Sequence, residues 1–370
     1  MSAPSDPIVP IDMDSNGPDV KSSPAAPRTP SYIGHPHSGG KDDEPTNGMS
    51  SPIPPPHAER PKSSPPPKPS VDAEACKALG NKYFVAKDYT KAIKEYTKAV
   101  DAVPDSPVYL ANRAAANMGA NRFAEAFSDA QAATSLDPSN VKNLNRLARI
   151  YTSLGRPTEA LETLDRVSSQ QTGLPQDRVL ASNMRSHIEQ AESALKSGTS
   201  GSMAIHALDQ AERGLGSGVE TPRRWRLLRG EAYLKMGNAN ALGEAQNIAM
   251  SFLRKNSKDP EALVMRGRAL YGQGENEKAL QHFREALNCD PDFRDGVKWL
   301  RLVQKLDRLK EEGNVAFKAA RYRQALEVYG KALEVDPSNK TINAKILQNR
   351  AMASLKVSSL PSLLHVLSDH

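Results

Sequence analysis

Little in this chain is built for covalent chemistry. It has two cysteines, Cys76 and Cys289, far apart in sequence. That is too few for a disulfide framework or a four-cysteine zinc site, and it suits a reducing compartment. The eight histidines are scattered. His35 and His37 lie close together in the N-terminal tail, where only a weak metal contact could form, while His206 and His282 fall on helical faces. No glycine-rich phosphate loop and no serine–histidine–acid pattern occurs. Neither an enzyme nor a cofactor is expected. Long apolar runs are missing too, and no stretch approaches the roughly eighteen residues of a membrane helix. The acidic N-terminus has no apolar signal core. No membrane partner is expected, and cytosol, with the nucleus also open, is the expected location. Aromatic residues make up only 5% and are used at packing positions, so no stacking platform for nucleic acid is visible. The best local candidate for nucleic acid, Arg223-Arg224-Trp225-Arg226, follows Pro222 and reads first as a helix start.

Proline is plentiful but confined. Residues 1–70 hold most of the 28 prolines, in runs such as Pro54-Pro55-Pro56 and Pro65-Pro66-Pro67. Such a segment cannot bury enough apolar surface to offset its chain entropy, so it is expected to be a disordered tail. Pro65–Pro69 also fits an SH3 ligand, though spacers of this kind are commoner. The chain carries a formal net charge of +6. Its tail is slightly acidic, so the basic excess belongs to the part beginning near Val71. A basic surface suits nucleic acid, an anionic membrane or an acidic protein ligand, and charge alone does not choose among them.

From Ala73 the chain repeats with a period of about thirty-four residues. With Gly80 at position 8 of a unit, small or aromatic residues follow at Tyr83, Ala92, Tyr96 and Ala99, with Pro104 near the end. Ala114, Ala126, Ala130, Ala133 and Pro138 repeat the register, and Leu144, Leu147, Ala148, Tyr151, Ala160 and Leu164 repeat it again. Small residues at two of these positions let paired helices approach, and proline stops the second. Residues 168–222 are blurred, with helical periodicity over Leu180–Leu195 and Met203–Leu215. Arg229-Gly230-Glu231-Ala232-Tyr233 resumes the theme, and Gly267, Ala279, Phe283, Ala286 and Pro291 make another clear unit. The first unit then returns at a constant offset. Lys77, Gly80, Asn81, Phe84, Tyr89, Ala92, Tyr96, Lys98, Ala99 and Pro104 become Lys310, Gly313, Asn314, Phe317, Tyr322, Ala325, Tyr329, Lys331, Ala332 and Pro337. This pattern resembles the tetratricopeptide repeat. It implies an all-α, right-handed α-solenoid of helical hairpins, whose concave face is lined by the first helix of each hairpin.

On those first helices, positions 2, 5, 6 and 9 share a stripe distinct from the packing stripe. Lys77 and Asn81 occupy it in the first unit, Asn112 in the second, Lys142 and Arg146 in the third. The stripe is read as holding no carboxylate to neutralise them. Cationic and amide donors gathered in this way suit a group with two nearby carboxylates, such as a C-terminal aspartate. Any one of these residues could be an ordinary solvated side chain. Together they match, residue by residue, the two-carboxylate clamp of co-chaperone tetratricopeptide domains. That resemblance implies binding of the Glu-Glu-Val-Asp tail of heat-shock protein 70 and 90 chaperones, with client proteins reached indirectly. Lys310, Asn314 and Asn349 repeat part of the clamp, but the unit that would supply the last lysine and arginine is missing.

The organisation expected is a tail over 1–70, a first clamp domain of three repeats over 71–168, degenerate repeats plus one clear repeat over 169–305, and an incomplete second clamp over 306–370. The whole resembles tetratricopeptide co-chaperones that carry a J domain, yet no His-Pro-Asp occurs in this sequence. The family pattern runs through Lys356. Ser358-Ser359-Leu360-Pro361 is expected to break the helix there, and the last unit to be loosely held, as in an incomplete form of a longer co-chaperone. The alternative is a scaffold that assembles a complex through the same groove without chaperones.

Overall fold

The computed structural model describes residues 72–167, 175–197 and 200–368. All of them lie in the second of the chain's two units, Pro66–His370. The proline-rich tail, with His35, His37 and Pro65–Pro69, lies outside the described residues.

Helix starts follow from local chemistry. Asp72 accepts from the main-chain N–H groups of Glu74 and Ala75 at 3.0 and 3.2 Å. Ser106, Asn140, Asn238 and Asp259 cap later helices in the same way. These side chains satisfy amide donors that the first helical turn leaves without partners. Pro107, Pro157 and Pro260 stand in the first turn, where a missing N–H costs nothing.

Every regular element among the described residues is a helix. Seven hairpins form: α1 Ala73–Val85 with α2 Tyr89–Ala102, α3 Pro107–Gly119 with α4 Phe123–Leu136, α5 Val141–Ser153 with α6 Pro157–Asp165, α7 Pro175–Lys196 with α8 Gly201–Glu212, α9 Arg223–Met236 with α10 Ala239–Lys255, α11 Pro260–Gly272 with α12 Asn276–Cys289, and α13 Arg294–Lys318 with α14 Tyr322–Val335. α15, Lys340–Ser368, follows and packs on α14. Each hairpin rests mainly on its neighbours, so the core is a chain of local clusters and the architecture is a tetratricopeptide-type α-solenoid.

The repeated block is repeated in three dimensions. A Cβ at Gly80 would lie 2.6 Å from the Tyr96 ring, and one at Gly313 would lie 2.5 Å from the Tyr329 ring. Phe84 meets Tyr89 edge-on at 5.6 Å between centroids, and Phe317 meets Tyr322 at 5.4 Å. The same close approach thus builds both hairpins.

Some helix ends differ from the sequence expectation. The helix expected over Leu180–Leu195 begins earlier, at Pro175. The one expected to reach Leu215 ends at Glu212, just before Gly214 and Gly216. α13 carries the chain through residues 305 and 306 unbroken, with Val303 and Leu306 buried. Finally, Ser358-Ser359-Leu360-Pro361 does not break the helix, because α15 runs to Ser368. Earlier hairpins turn through a residue with left-handed backbone, such as Lys87, Asn121 or Gly155. A proline removes one main-chain donor but supplies no such turn. On α15, Ile346 and Ala353 are fully buried, while Leu347, Met352 and Leu355 stay exposed.

Candidate functional site

The face of α1, α3 and α5 expected to carry a ligand is built from these caps and close approaches. Lys77 and Asn81 are half-buried on α1, Asn112 is buried on α3 at 7% exposure, Lys142 is exposed on α5, and Arg146 is half-buried one turn further along. Tyr96, on α2, is fully buried, and its hydroxyl donates to Asn81 Oδ1 at 2.7 Å. The same tyrosine faces the Arg146 guanidinium electrostatically.

Arg146 differs from the arginines around it. Arg149 pairs with Asp177 at 2.7 Å. Arg113 forms a bidentate pair with Asp129, at 2.8 and 2.7 Å, and Asn117 adds a contact to the same carboxylate. Arg146 has no carboxylate partner among the described residues. Burial, helped by the Arg149 charge, lowers its guanidinium to about 10, while Tyr96 pulls the other way. A cation withdrawn from water without an anion is costly, and a ligand carboxylate would offset that cost.

The expectation of a carboxylate-free stripe needs correction. Glu74, one turn before Lys77 on α1, pairs with it and also accepts from the Tyr109 hydroxyl at 3.0 Å. The Lys77 contact, supported by the Tyr109 hydroxyl, holds the Glu74 carboxyl below its ordinary range. Lys77 is thus already engaged, and Arg146 is the cation of the stripe that most needs an anion.

The second block is arranged similarly and is partly occupied by its own side chains. Asn314 Oδ1 accepts from the Tyr329 hydroxyl at 2.8 Å and from Asn349 Nδ2 at 3.1 Å, so α13 and α15 bring the two asparagines together. Asn314 Nδ2 donates to Glu311 Oε2 at 3.1 Å. Lys310 leans on Asp307 at 3.9 Å.

Sequence reasoning missed Tyr96, Glu74 and Glu311. A signal for the first was present: a tyrosine follows an asparagine by fifteen residues in both blocks. The basic string on α9 is committed within the protein. Arg223 pairs with Asp259 and Glu261, Arg224 with Glu192, and Arg226 with Glu220, while Trp225 is buried. His282 meets Glu285 at 2.9 Å, and His206 lies beside Gln210. Among the described residues no group of His, Cys, Asp and Glu could hold a metal ion, and no helix is long and apolar enough to cross a membrane.

Residues 117–180 and 260–293 match tetratricopeptide-repeat families. The chain is 35% identical over 292 residues to the DnaJ homolog subfamily C member 7 homolog of Schizosaccharomyces pombe, covering 78% of this chain and 54% of that protein. It is 33% identical over 292 residues to human DnaJ homolog subfamily C member 7, covering 78% of this chain and 58% of the relative. It therefore spans a little over half the length of these relatives. A shorter match, 38% over 90 residues, covers 24% of this chain and 26% of the heat-shock protein cognate co-chaperone sgt12 of Aspergillus fumigatus.

Proposed function

This chain is a tetratricopeptide-repeat protein homologous to DnaJ homolog subfamily C member 7, and from that premise we propose that it is a co-chaperone adaptor. In this proposal Lys77, Asn81, Asn112, Lys142 and Arg146 clamp the C-terminal Glu-Glu-Val-Asp tail of heat-shock protein 70 or 90 chaperones, bringing them to client proteins. The observation that carries it is Arg146, a half-buried cation with no carboxylate partner among the described residues, beside amide donors on the same face. The terminal aspartate offers two carboxylates at one residue. Charge-assisted hydrogen bonds to them are about twice as strong as neutral ones. The residues act by binding and no bond is made or broken. The cytosol, with the nucleus also open, is the proposed location.

The test is a titration with a peptide ending in Glu-Glu-Val-Asp at increasing salt. Affinity should fall steadily as salt rises, because the ligand is anionic and Lys142 is exposed to screening. A flat response would point to an apolar groove and to the scaffold alternative.

The second block, Lys310, Asn314 and Asn349, is proposed to bind the same tail weakly, because Glu311 already takes the Asn314 donor. In a chain whose first clamp is disabled by Lys142→Ala and Arg146→Ala, adding Glu311→Ala should strengthen residual tail binding by about fivefold, the worth of one freed hydrogen bond. Residual binding that stays the same or weakens would argue against Glu311 as the competitor.

A further inference from the structure

Tyr96 packs its ring against Gly80, and any large aromatic could do that. The hairpin of α11 and α12 shows as much, because a Cβ at Gly267 would lie 2.5 Å from the Phe283 ring, the same close approach with no hydroxyl. Packing therefore does not account for the tyrosine oxygen. What distinguishes the three hairpins is the residue that follows the glycine on the first helix. It is Asn81 beside Tyr96 and Asn314 beside Tyr329, but Arg268 in the hairpin that has Phe283. Arg268 takes another course, pairing with Glu231 and stacking on Trp299 at 4.8 Å. Within this one chain, the hydroxyl is present where an asparagine needs a donor and absent where it does not.

An asparagine amide has a donor end and an acceptor end, and a carboxylate ligand can use only the donor. A tyrosine hydroxyl that donates to the oxygen end leaves the N–H end for the ligand. A phenol is protonated at neutral pH in any case, and burial pushes that of Tyr96 further up. Its donation to Asn81 Oδ1 at 2.7 Å leaves Nδ2 as the group available to a ligand. The second block shows the completed arrangement. Tyr329 donates to Asn314 Oδ1 at 2.8 Å, and Asn314 Nδ2 in turn donates to a carboxylate, that of Glu311, at 3.1 Å.

We infer that the Tyr96 hydroxyl is a positioning group for the clamp, fixing the Asn81 amide so that its N–H end faces the ligand carboxylate. This inference rests on the clamp reading above. Tyr96 touches no ligand. It acts through Asn81, and it makes this end of the groove selective for acceptors.

The experiment is a double-mutant cycle on the full chain with Tyr96→Phe and Asn81→Ala, titrated by calorimetry with a peptide ending in Glu-Glu-Val-Asp, with thermal unfolding as a fold control. Phe283 shows that phenylalanine fits opposite the glycine, so Tyr96→Phe should fold. It should weaken binding by about fivefold, the worth of one neutral hydrogen bond, and Asn81→Ala by about tenfold or more. The double variant should bind no worse than Asn81→Ala alone, because the hydroxyl has then lost the group through which it acts. Since Tyr96 also faces Arg146, a Tyr96→Phe penalty that persists in the Asn81→Ala background would assign its effect to Arg146 or to packing and overturn the inference. Full affinity in Tyr96→Phe alongside a weakened Asn81→Ala would also overturn it while leaving the clamp standing. If Asn81→Ala and Arg146→Ala both bind like the wild type, or the wild type does not bind, the clamp fails and the inference fails with it.

Discussion

Replacing Lys142 and Arg146 together by alanine should weaken binding of a Glu-Glu-Val-Asp peptide by about a hundredfold or more while leaving the fold intact. Each side chain is expected to give a hydrogen bond to a charged group, worth roughly 1.5–3 kcal/mol. The core of α5 is made by Leu144, Leu147, Ala148 and Ile150, none of which the substitutions touch. Removing Arg146 also removes a cation that is half-withdrawn from water, so stability should hold or rise slightly. Calorimetry and thermal unfolding on the same preparation separate the two effects. Unchanged affinity in a well-folded double variant would sink the clamp assignment.

The neighbouring arginine should behave in the opposite way. Arg113 and Asp129 hold α3 to α4 as a bidentate pair, with side chains only 20% and 9% exposed. Asp129→Ala leaves a largely buried guanidinium unpaired, and breaking such a pair costs about 3–5 kcal/mol. Denaturant unfolding should show that loss in the first three hairpins, and adding Arg113→Ala should recover part of it. Because each hairpin leans on its neighbours, the damage should reach α2 and α5. A stability change below about 1 kcal/mol would mean that water reaches this pair and that its geometry matters little. The contrast between two arginines on adjacent helices, one paired for structure and one kept open, separates the scaffold of the groove from its ligand-binding face.

Much of this was legible in the sequence. Gly80, Ala92, Tyr96 and Pro104 carry spacing, size and stop signal together, and their return at Gly313, Ala325, Tyr329 and Pro337 announces a duplicated block. The blurred stretch was harder, because α7 and α8 pack through alanines such as Ala191 and Ala207, which leave a weak periodic signal. Helix ends there depended on Pro175 and Gly214, single residues easily passed over. The continuity of α15 was misjudged because one proline weighed more than the absence of a turn residue. In the candidate site, residue types and positions on the stripe could be read, but not every engagement. Glu74 stands three residues before Lys77 on the same helix, so that pairing was readable and passed over, whereas the Tyr109 hydroxyl reaching it from α3 was not readable. Glu311 looked like any solvated acid until Asn314 was found donating to it. What a period in one dimension does not record is the reach between helices, such as Tyr96 to Asn81 and Arg149 to Asp177.

The most direct measurement compares two peptides that differ only at the C-terminal group. Both end in Glu-Glu-Val-Asp, one as the free acid and one as the amide, and both are titrated into the wild-type chain at low salt. If the groove recognises the paired carboxylates of the last residue, the free acid binds and amidation weakens it by about tenfold or more, one charge-assisted contact having been removed. Equal affinity for the two peptides, or binding of neither, would contradict the claim that this face holds a terminal carboxylate.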